Sequence, residues 1–403
     1  MNKLIVTRRQ NKIMTAVCTD GKIGEISLEP EDGNSFLGYI YIGKVKNIVK
    51  NINAAFVEFA EGQTGYYSLT ENKVHLFAAE PGRGKADSVP SFRPLKAGDE
   101  IIVQIARDSV KTKAPVLTSN LNFTGKYCVL TAGKKGIGFS SKINDSLWKQ
   151  RVKQKIAENL EGSWGIIVRT NAYQAEEALV LQEFSDLKAL CIKILQSASH
   201  RTWGSCLYQA PSAFTAAIRD SYTGFLDEII TDCDKIYKQL YQYMEQSQPE
   251  ALRLLKFYDD PLLPLDKLYS LEEAVEKALS PKVWLKSGGY LVIEYTEALT
   301  VIDVNTGKYD GKKTLPETIM KINLEAAEEI GRQLRLRNLS GIIIVDFIDM
   351  SLEEDRNKLM KCLNEICARD QVKTTVVDIT PLNLVEITRK KIRRPLHEQA
   401  GLH

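Results

Sequence analysis

Two aspartates stand where strand interiors rarely hold carboxylates: Asp303 in Val301-Ile-Asp-Val-Asn-Thr-Gly, and Asp346 closing Ile342-Ile-Ile-Val-Asp. A carboxylate in an apolar strand must be paired, hydrogen-bonded or metal-bound to stay ionised. If the two strands are neighbours, both groups meet at one sheet end and make an oxygen-only site. Such a site suits Mg2+, which takes one or two carboxylates, keeps several waters and binds substrate phosphate. Asn305 shares a strand face with Asp303 and can hold that carboxylate or bond an attacking water. One aspartate alone is more simply a cap on the next turn or helix. The pair, with an asparagine at i+2 and no histidine-based alternative nearby, favours a metal.

A second group lies in the N-terminal third. Phe56, Phe59, Tyr66 and Tyr67 punctuate a region that also carries Lys44, Lys46, Lys50, Lys111 and Lys113. Strand aromatics that stack bases, with lysines that track a phosphate backbone, are the equipment of single-strand nucleic-acid binding. Alternation along a strand sends half of these rings into the interior. A third signal is Gly165-Ile-Ile-Val-Arg-Thr, whose Arg169 and Thr170 close a strand with a guanidinium and a hydroxyl suited to phosphate. A surface arginine after a strand is the commoner meaning of that pattern. The run Thr388-Arg-Lys-Lys-Ile-Arg-Arg-Pro reads most simply as a solvated helix face, with phosphate contact as a secondary option, and His75, His200, His397 and His403 are isolated.

The elements that must position these groups alternate in type. Short strands are expected at Leu4–Thr7, Ile13–Cys18 and Ile23–Leu28, with Asp20-Gly21 as a hairpin turn. Five short strands between about 36 and 118, around a Pro/Gly-rich loop at 80–94, fit a small Greek-key barrel of the OB type inserted into the opening domain. Strands at Tyr127–Leu130 and Gly165–Val168 flank a helix at Ile143–Asn159, and a second helix covers 175–198. Residues 207–231 and 234–244 read as α/β, and a short helix spans Ser270–Leu279. Two strands within 289–307, joined by a turn, then precede a helix from Thr318 to about Asn338. The Ile/Val run at 342–345 has the length of a strand buried on both faces. Helix Glu353–Arg369, strand Thr374–Asp378 and a basic helix at Leu382–Arg394 complete the chain.

The chain has 403 residues, 44% hydrophobic and 26% charged, enough for two or three packed domains and too apolar for global disorder. Its 54 Lys+Arg against 51 Asp+Glu exclude a polycation but not an enzyme with locally basic surfaces. No apolar run approaches the roughly 20 residues of a spanning helix, and the N-terminus has no secretory h-region. Seven scattered cysteines with no C-x-x-C signal neither disulfides nor a zinc knuckle. A soluble, cytoplasmic protein is expected.

At Thr296-Glu-Ala-Leu-Thr-Val-Ile-Asp-Val-Asn-Thr-Gly and Ile343-Ile-Val-Asp-Phe-Ile-Asp-Met the sequence resembles the bacterial ribonuclease E/G family. Ala54-Ala-Phe-Val-Glu-Phe, Thr112-Lys-Ala-Pro-Val-Leu-Thr, Val168-Arg-Thr, Trp284-Leu-Lys-Ser-Gly-Gly-Tyr and the stretch from Glu325 to Leu339 are similar to family sequence, in family order. The resemblance covers essentially the whole chain. It implies an α/β multidomain fold: an RNase H-like domain (1–35 and 215–278), an inserted S1 barrel of OB fold (36–118), a 5′-sensor region (119–214) and a DNase I-like catalytic subdomain (279–403).

By the same resemblance, Asp303 and Asp346 match the Mg2+ ligands and Asn305 the catalytic-site asparagine. Mn2+ is an alternative ion. Phe56, Tyr66 and Lys113 fall at RNA-contacting positions, and Val129, Arg169 and Thr170 at the 5′-phosphate pocket. The implied activity is a Mg2+-dependent endoribonuclease on single-stranded RNA that leaves 5′-phosphate and 3′-hydroxyl ends, in rRNA processing and mRNA decay. A non-catalytic RNA-binding protein and a Mg2+-dependent nuclease acting on DNA are the competing readings. The family's zinc-link C-x-x-C is missing before the sequence ends at His403, so no structural zinc is expected and a homodimer is left open. Ser140-Ser141-Lys142 stand where the family often has a sensor arginine, which implies a weaker 5′-monophosphate preference. The long C-terminal scaffold of larger members is absent from this sequence.

Overall fold

The computed structural model describes residues 1–31, 36–78, 93–109, 114–133, 135–160, 164–221, 225–307 and 315–401. It falls into two compact units, one of residues 1–32 with 224–403 and one of residues 33–223. The fold is mixed α/β. No helix among the described residues is long and apolar enough to cross a membrane.

In the 33–223 unit, strands Ile40–Val49, Ala54–Ala60, Gln63–Ser68, Val116–Thr118 and Glu100–Arg107 pair in that order, and the last returns to the first. The result is a closed five-stranded barrel consistent with an OB/S1 fold. Closure leaves no sheet edge inside the ring, and inward residues such as Val45, Val57, Phe59, Tyr67, Ile101 and Val103 fill it. A second sheet of four strands, Gly136–Phe139, Trp164–Val168, Cys128–Ala132 and Asn122–Thr124, carries helices Ser146–Asn159 and Glu177–Ala198. Trp148, Val152, Ile156, Val180 and Phe184 of those helices join its core. Asp145 caps the first helix by accepting from the Trp148 backbone N–H at 2.9 Å. Lys111 and Lys113 lie outside the described residues, as does most of the loop at 80–94.

In the other unit, the opening strands Asn2–Arg9, Lys12–Thr19 and Lys22–Pro30 form a meander, and Asn2–Arg9 pairs in parallel with Glu228–Thr231 from more than 200 residues later. Strand Leu255–Phe257 completes this five-stranded sheet. The second sheet runs Lys282–Trp284, Tyr290–Tyr295, Leu299–Asn305, Gly341–Asp346, Leu384–Arg389 and Thr374–Ile379. Only Leu299–Asn305 and Gly341–Asp346 are parallel. A parallel pair needs a crossover, and helix Leu315–Leu336 lies within it. Ile322, Ala326, Ile330 and Leu334 line the buried stripe of that helix, which packs with helix Glu353–Arg369 on one face of the sheet.

Two sequence expectations fail in this sheet. The Ile342–Val345 run is covered on one face only. Ile343 and Val345 are fully buried under the helices, whereas Ile342 keeps 51% of its surface exposed. The basic helix expected at Leu382–Arg394 is a strand, Leu384–Arg389, followed by a helix only at Leu396–Ala400. The physical reason is period-two burial: Val385, Ile387 and Arg389 all turn inward. Arg389 is no solvated cation. It donates to Asp370 at 2.7 Å and to Asn338 Oδ1 and the Leu339 carbonyl at 2.9 Å, fully enclosed. Removing one partner of such a buried pair costs about 3–5 kcal/mol, because the other charge is left uncompensated.

Candidate active site

The parallel register sets Asp303 directly opposite Asp346, with Val301 opposite Ile344 one pleat earlier. Both aspartates lie at the carboxyl ends of their strands, on the face away from the helices. Ile302, Val304, Ile343 and Val345 on the reverse face are buried and fix that orientation, since a one-residue slip would invert every side chain. Asn305 Nδ2 donates to Asp303 Oδ2 at 2.7 Å, so the amide holds the carboxylate in place. Partial burial first, then the charges of Asp303 and Asp349, push the Asp346 carboxyl above its ordinary range. Neither Asp303 nor Asp346 has an ion-pair partner among the described residues. Two hard oxygen donors in mutual repulsion, without a protein cation, fit a divalent ion of the Mg2+ type. No group of three or more His, Cys, Asp or Glu side chains among the described residues is placed to hold a metal.

The other sequence candidates belong to the 33–223 unit and form two separate groups. Phe56 and Tyr66 are register partners on the outside of the barrel, half-buried, with ring centroids 6.3 Å apart and planes at 77°. Phe59 and Tyr67 point inward and fill it. Lys46 is bound to Glu58 at 2.9 Å, and its hydrogen bond holds the Glu58 carboxyl below the usual range. Val129 pairs with Ile167 in the four-stranded sheet. Arg169 and Thr170 follow that sheet's Trp164–Val168 strand, where Thr170 shares a hydrogen bond of 2.9 Å with Ser140. The Arg169 guanidinium donates to the Gly125 carbonyl and pairs with Asp220 at 2.8 Å. Burial opposes ionisation of Asp220, but Arg219 and then Arg169 outweigh it and keep the carboxyl low. Two guanidinium groups therefore share one carboxylate.

The profile of the Ribonuclease E/G family matches residues 122–392. The chain belongs to the ribonuclease E/G family. Ribonuclease G of Salmonella typhimurium (strain SL1344) is 32% identical over 392 residues, 97% of this chain and 80% of its own length. Ribonuclease G of Escherichia coli (strain K12) is 32% identical over 395 residues, 98% of this chain and 81% of its own. Ribonuclease E of Nostoc sp. (strain PCC 7120 / SAG 25.82 / UTEX 2576) is 31% identical over 405 residues, covering all of this chain and 57% of its own.

Three supports of this ribonuclease E/G family site lie outside the residues that the sequence singled out for chemistry. Asn323, fully buried in the Leu315–Leu336 helix, donates to the Ile348 carbonyl at 2.8 Å and accepts from the Ile348 N–H at 3.1 Å. It pins the backbone two residues beyond Asp346. Its signal in the sequence is a polar residue on the apolar stripe. Glu325, two residues on, accepts from the Lys286 and Ser287 N–H groups and fixes the hairpin loop before Tyr290. Gly307, at φ +61°, lies against that loop so closely that a Cβ would stand 2.2 Å from the Gly288 carbonyl oxygen. Asn323→Ala removes the partner of two half-buried backbone groups of Ile348, so urea denaturation should show a loss of about 1–3 kcal/mol. A loss under about 0.5 kcal/mol would remove Asn323 from this role.

Proposed function

We propose that this protein is a Mg2+-dependent endoribonuclease that cleaves single-stranded RNA by hydrolysis, leaving 5′-phosphate and 3′-hydroxyl ends. The observation that carries the reading is the register match of Asp303 and Asp346 at the carboxyl end of a parallel strand pair. Family membership supports the choice of RNA. Asp303 and Asp346 would hold the ion, and Asn305 keeps the Asp303 carboxylate in one orientation. A bound Mg2+ would supply positive charge to the scissile phosphate and acidify the attacking water. The chain's own part is to fix the phosphate beside that pair, so that attack is effectively intramolecular.

On this reading residues 36–118 are an S1 domain whose Phe56 and Tyr66 stack bases while Lys113 meets the backbone. Residues 119–214 sense the 5′ end through Val129, Arg169 and Thr170. Residues 1–35 and 215–278 form the RNase H-like domain, and 279–403 the catalytic subdomain. The meeting of Arg169 and Arg219 at Asp220, beside Thr170, supports the sensor assignment, because it gathers two guanidinium groups at one place. Asp220 also competes with a 5′-phosphate for Arg169, in keeping with a modest 5′-monophosphate preference. The substrates of this reading are mRNA and rRNA precursors in the cytoplasm.

A matched RNA and DNA oligomer, incubated with Mg2+ and with EDTA, tests the chemistry. RNA should be cut in Mg2+ alone, and Asp303→Asn should abolish cutting while RNA binding stays nearly intact. Cleavage by Asp303→Asn at the wild-type rate, or equal cutting of DNA, would refute the reading. For the sensor, one oligomer bearing a 5′-monophosphate should be cut faster than its triphosphate and hydroxyl forms. Equal rates on all three would release Arg169 and Thr170 from that role.

A further inference from the structure

The exposed face of the catalytic sheet carries more than the carboxylates. Trp284 ends the three-residue edge strand Lys282–Trp284 with 63% of its surface exposed. Val283, not Trp284, is the residue of that strand packed against the helix-covered core. Burial therefore does not account for the indole. Tyr290 is the register partner of Trp284, and Asn305 is the register partner of Tyr290, so the three side chains share one row on one face. The rings of Trp284 and Tyr290 lie 5.3 Å apart at 60°. The Lys282 ammonium sits over both, 3.7 Å from the Tyr290 centroid and 4.1 Å from that of Trp284. Lys282 itself is in the row of Asp303 and Asp346, through Val292.

Resting on the function proposed above, we propose that Trp284, backed by Tyr290 and Lys282, is a stacking site for a base of the single-stranded RNA substrate next to the cleaved bond. Indole and phenol faces take any base, and a lysine held over them offers its charge to the adjoining phosphate. Two strand spacings, about 10 Å, separate the Trp284 strand from the Asp303 strand, a span suited to a flanking nucleotide. Charge sets the direction. The row on the other side of the carboxylates, through Val301 and Ile344, is flanked by Glu294 and Glu386, which repel a polyanion. The row of Asn305, Tyr290 and Trp284 carries no carboxylate, and Asp349, bonded to Asn383, lies on the side of the pair away from Trp284. The hairpin loop that bears this platform packs against the Asn305–Gly307 turn and is tied down by Glu325, so the platform is held at a fixed place relative to the reacting site.

Abasic scanning tests the assignment: one base at a time is removed around the cleaved bond of an RNA oligomer, with full-length wild type, Trp284→Ala and Trp284→Phe as enzymes. In the wild type, one flanking abasic position should lower kcat/KM by about 5- to 150-fold, the worth of one stacked base. Trp284→Ala should lose a similar factor on the intact oligomer and become indifferent to that position, whereas Trp284→Phe keeps the sensitivity. An abasic profile in Trp284→Ala identical to that of the wild type would overturn the proposal, whether or not the overall rate falls. So would a wild type that shows no flanking abasic penalty. A wild type that cuts no RNA at all would instead defeat the parent reading, which separates the two failures.

Discussion

Two negative charges held side by side are the constraint around which this sheet is built. At a strand spacing of about 4.8 Å, two carboxylates repel by about 1 kcal/mol if water screens them fully and about 3–4 kcal/mol at an effective dielectric near 20. The sheet can bear that cost because the same strands bury Ile302, Val304, Ile343 and Val345 on their other face, each worth about 1.5–3 kcal/mol on burial. Register is thus set by the core, and the repulsion is a passenger on it. A divalent ion would turn the penalty into attraction.

The surroundings of the pair act on its precision rather than on its existence. Asn305 orients one carboxylate directly. Asn323 fixes the backbone that leaves the other. Gly307 allows the turn after Asn305 to close on the Gly288 carbonyl, and Glu325 anchors the loop that receives it. These contacts all come from the crossover helix or from the turns at one end of the sheet. A single crossover therefore makes the strands parallel, supplies the core under them and carries two of the groups that steady the site.

Much of this was legible in the residues. Asp303 and Asp346 interrupt apolar strands, and the expectation that those strands are neighbours agrees with their register, Asp303 opposite Asp346. Period-two patterning implied that half of the barrel aromatics turn inward without saying which; Phe59 and Tyr67 fill the barrel, and Phe56 and Tyr66 lie on its surface. Where the reading failed, a local signal was overridden by tertiary context. Basic residues after Thr388 resemble a solvated helix, yet Arg389 is drawn into a buried network by Asp370 and Asn338, partners 19 and 51 positions away. The Ile/Val run suggested two covered faces, but both packed helices lie on the same side. Asn323 and the pairing of Arg169 with Asp220 involve partners 25 and 51 positions away, and no spacing rule reaches that far.

The central claim is that Asp303 and Asp346 ligate one cation together, and Mn2+ binding followed by electron paramagnetic resonance addresses it without any turnover. The account predicts a bound Mn2+ that Mg2+ displaces, and that is lost both in Asp303→Asn and, separately, in Asp346→Asn. Unchanged Mn2+ affinity in either variant would contradict it.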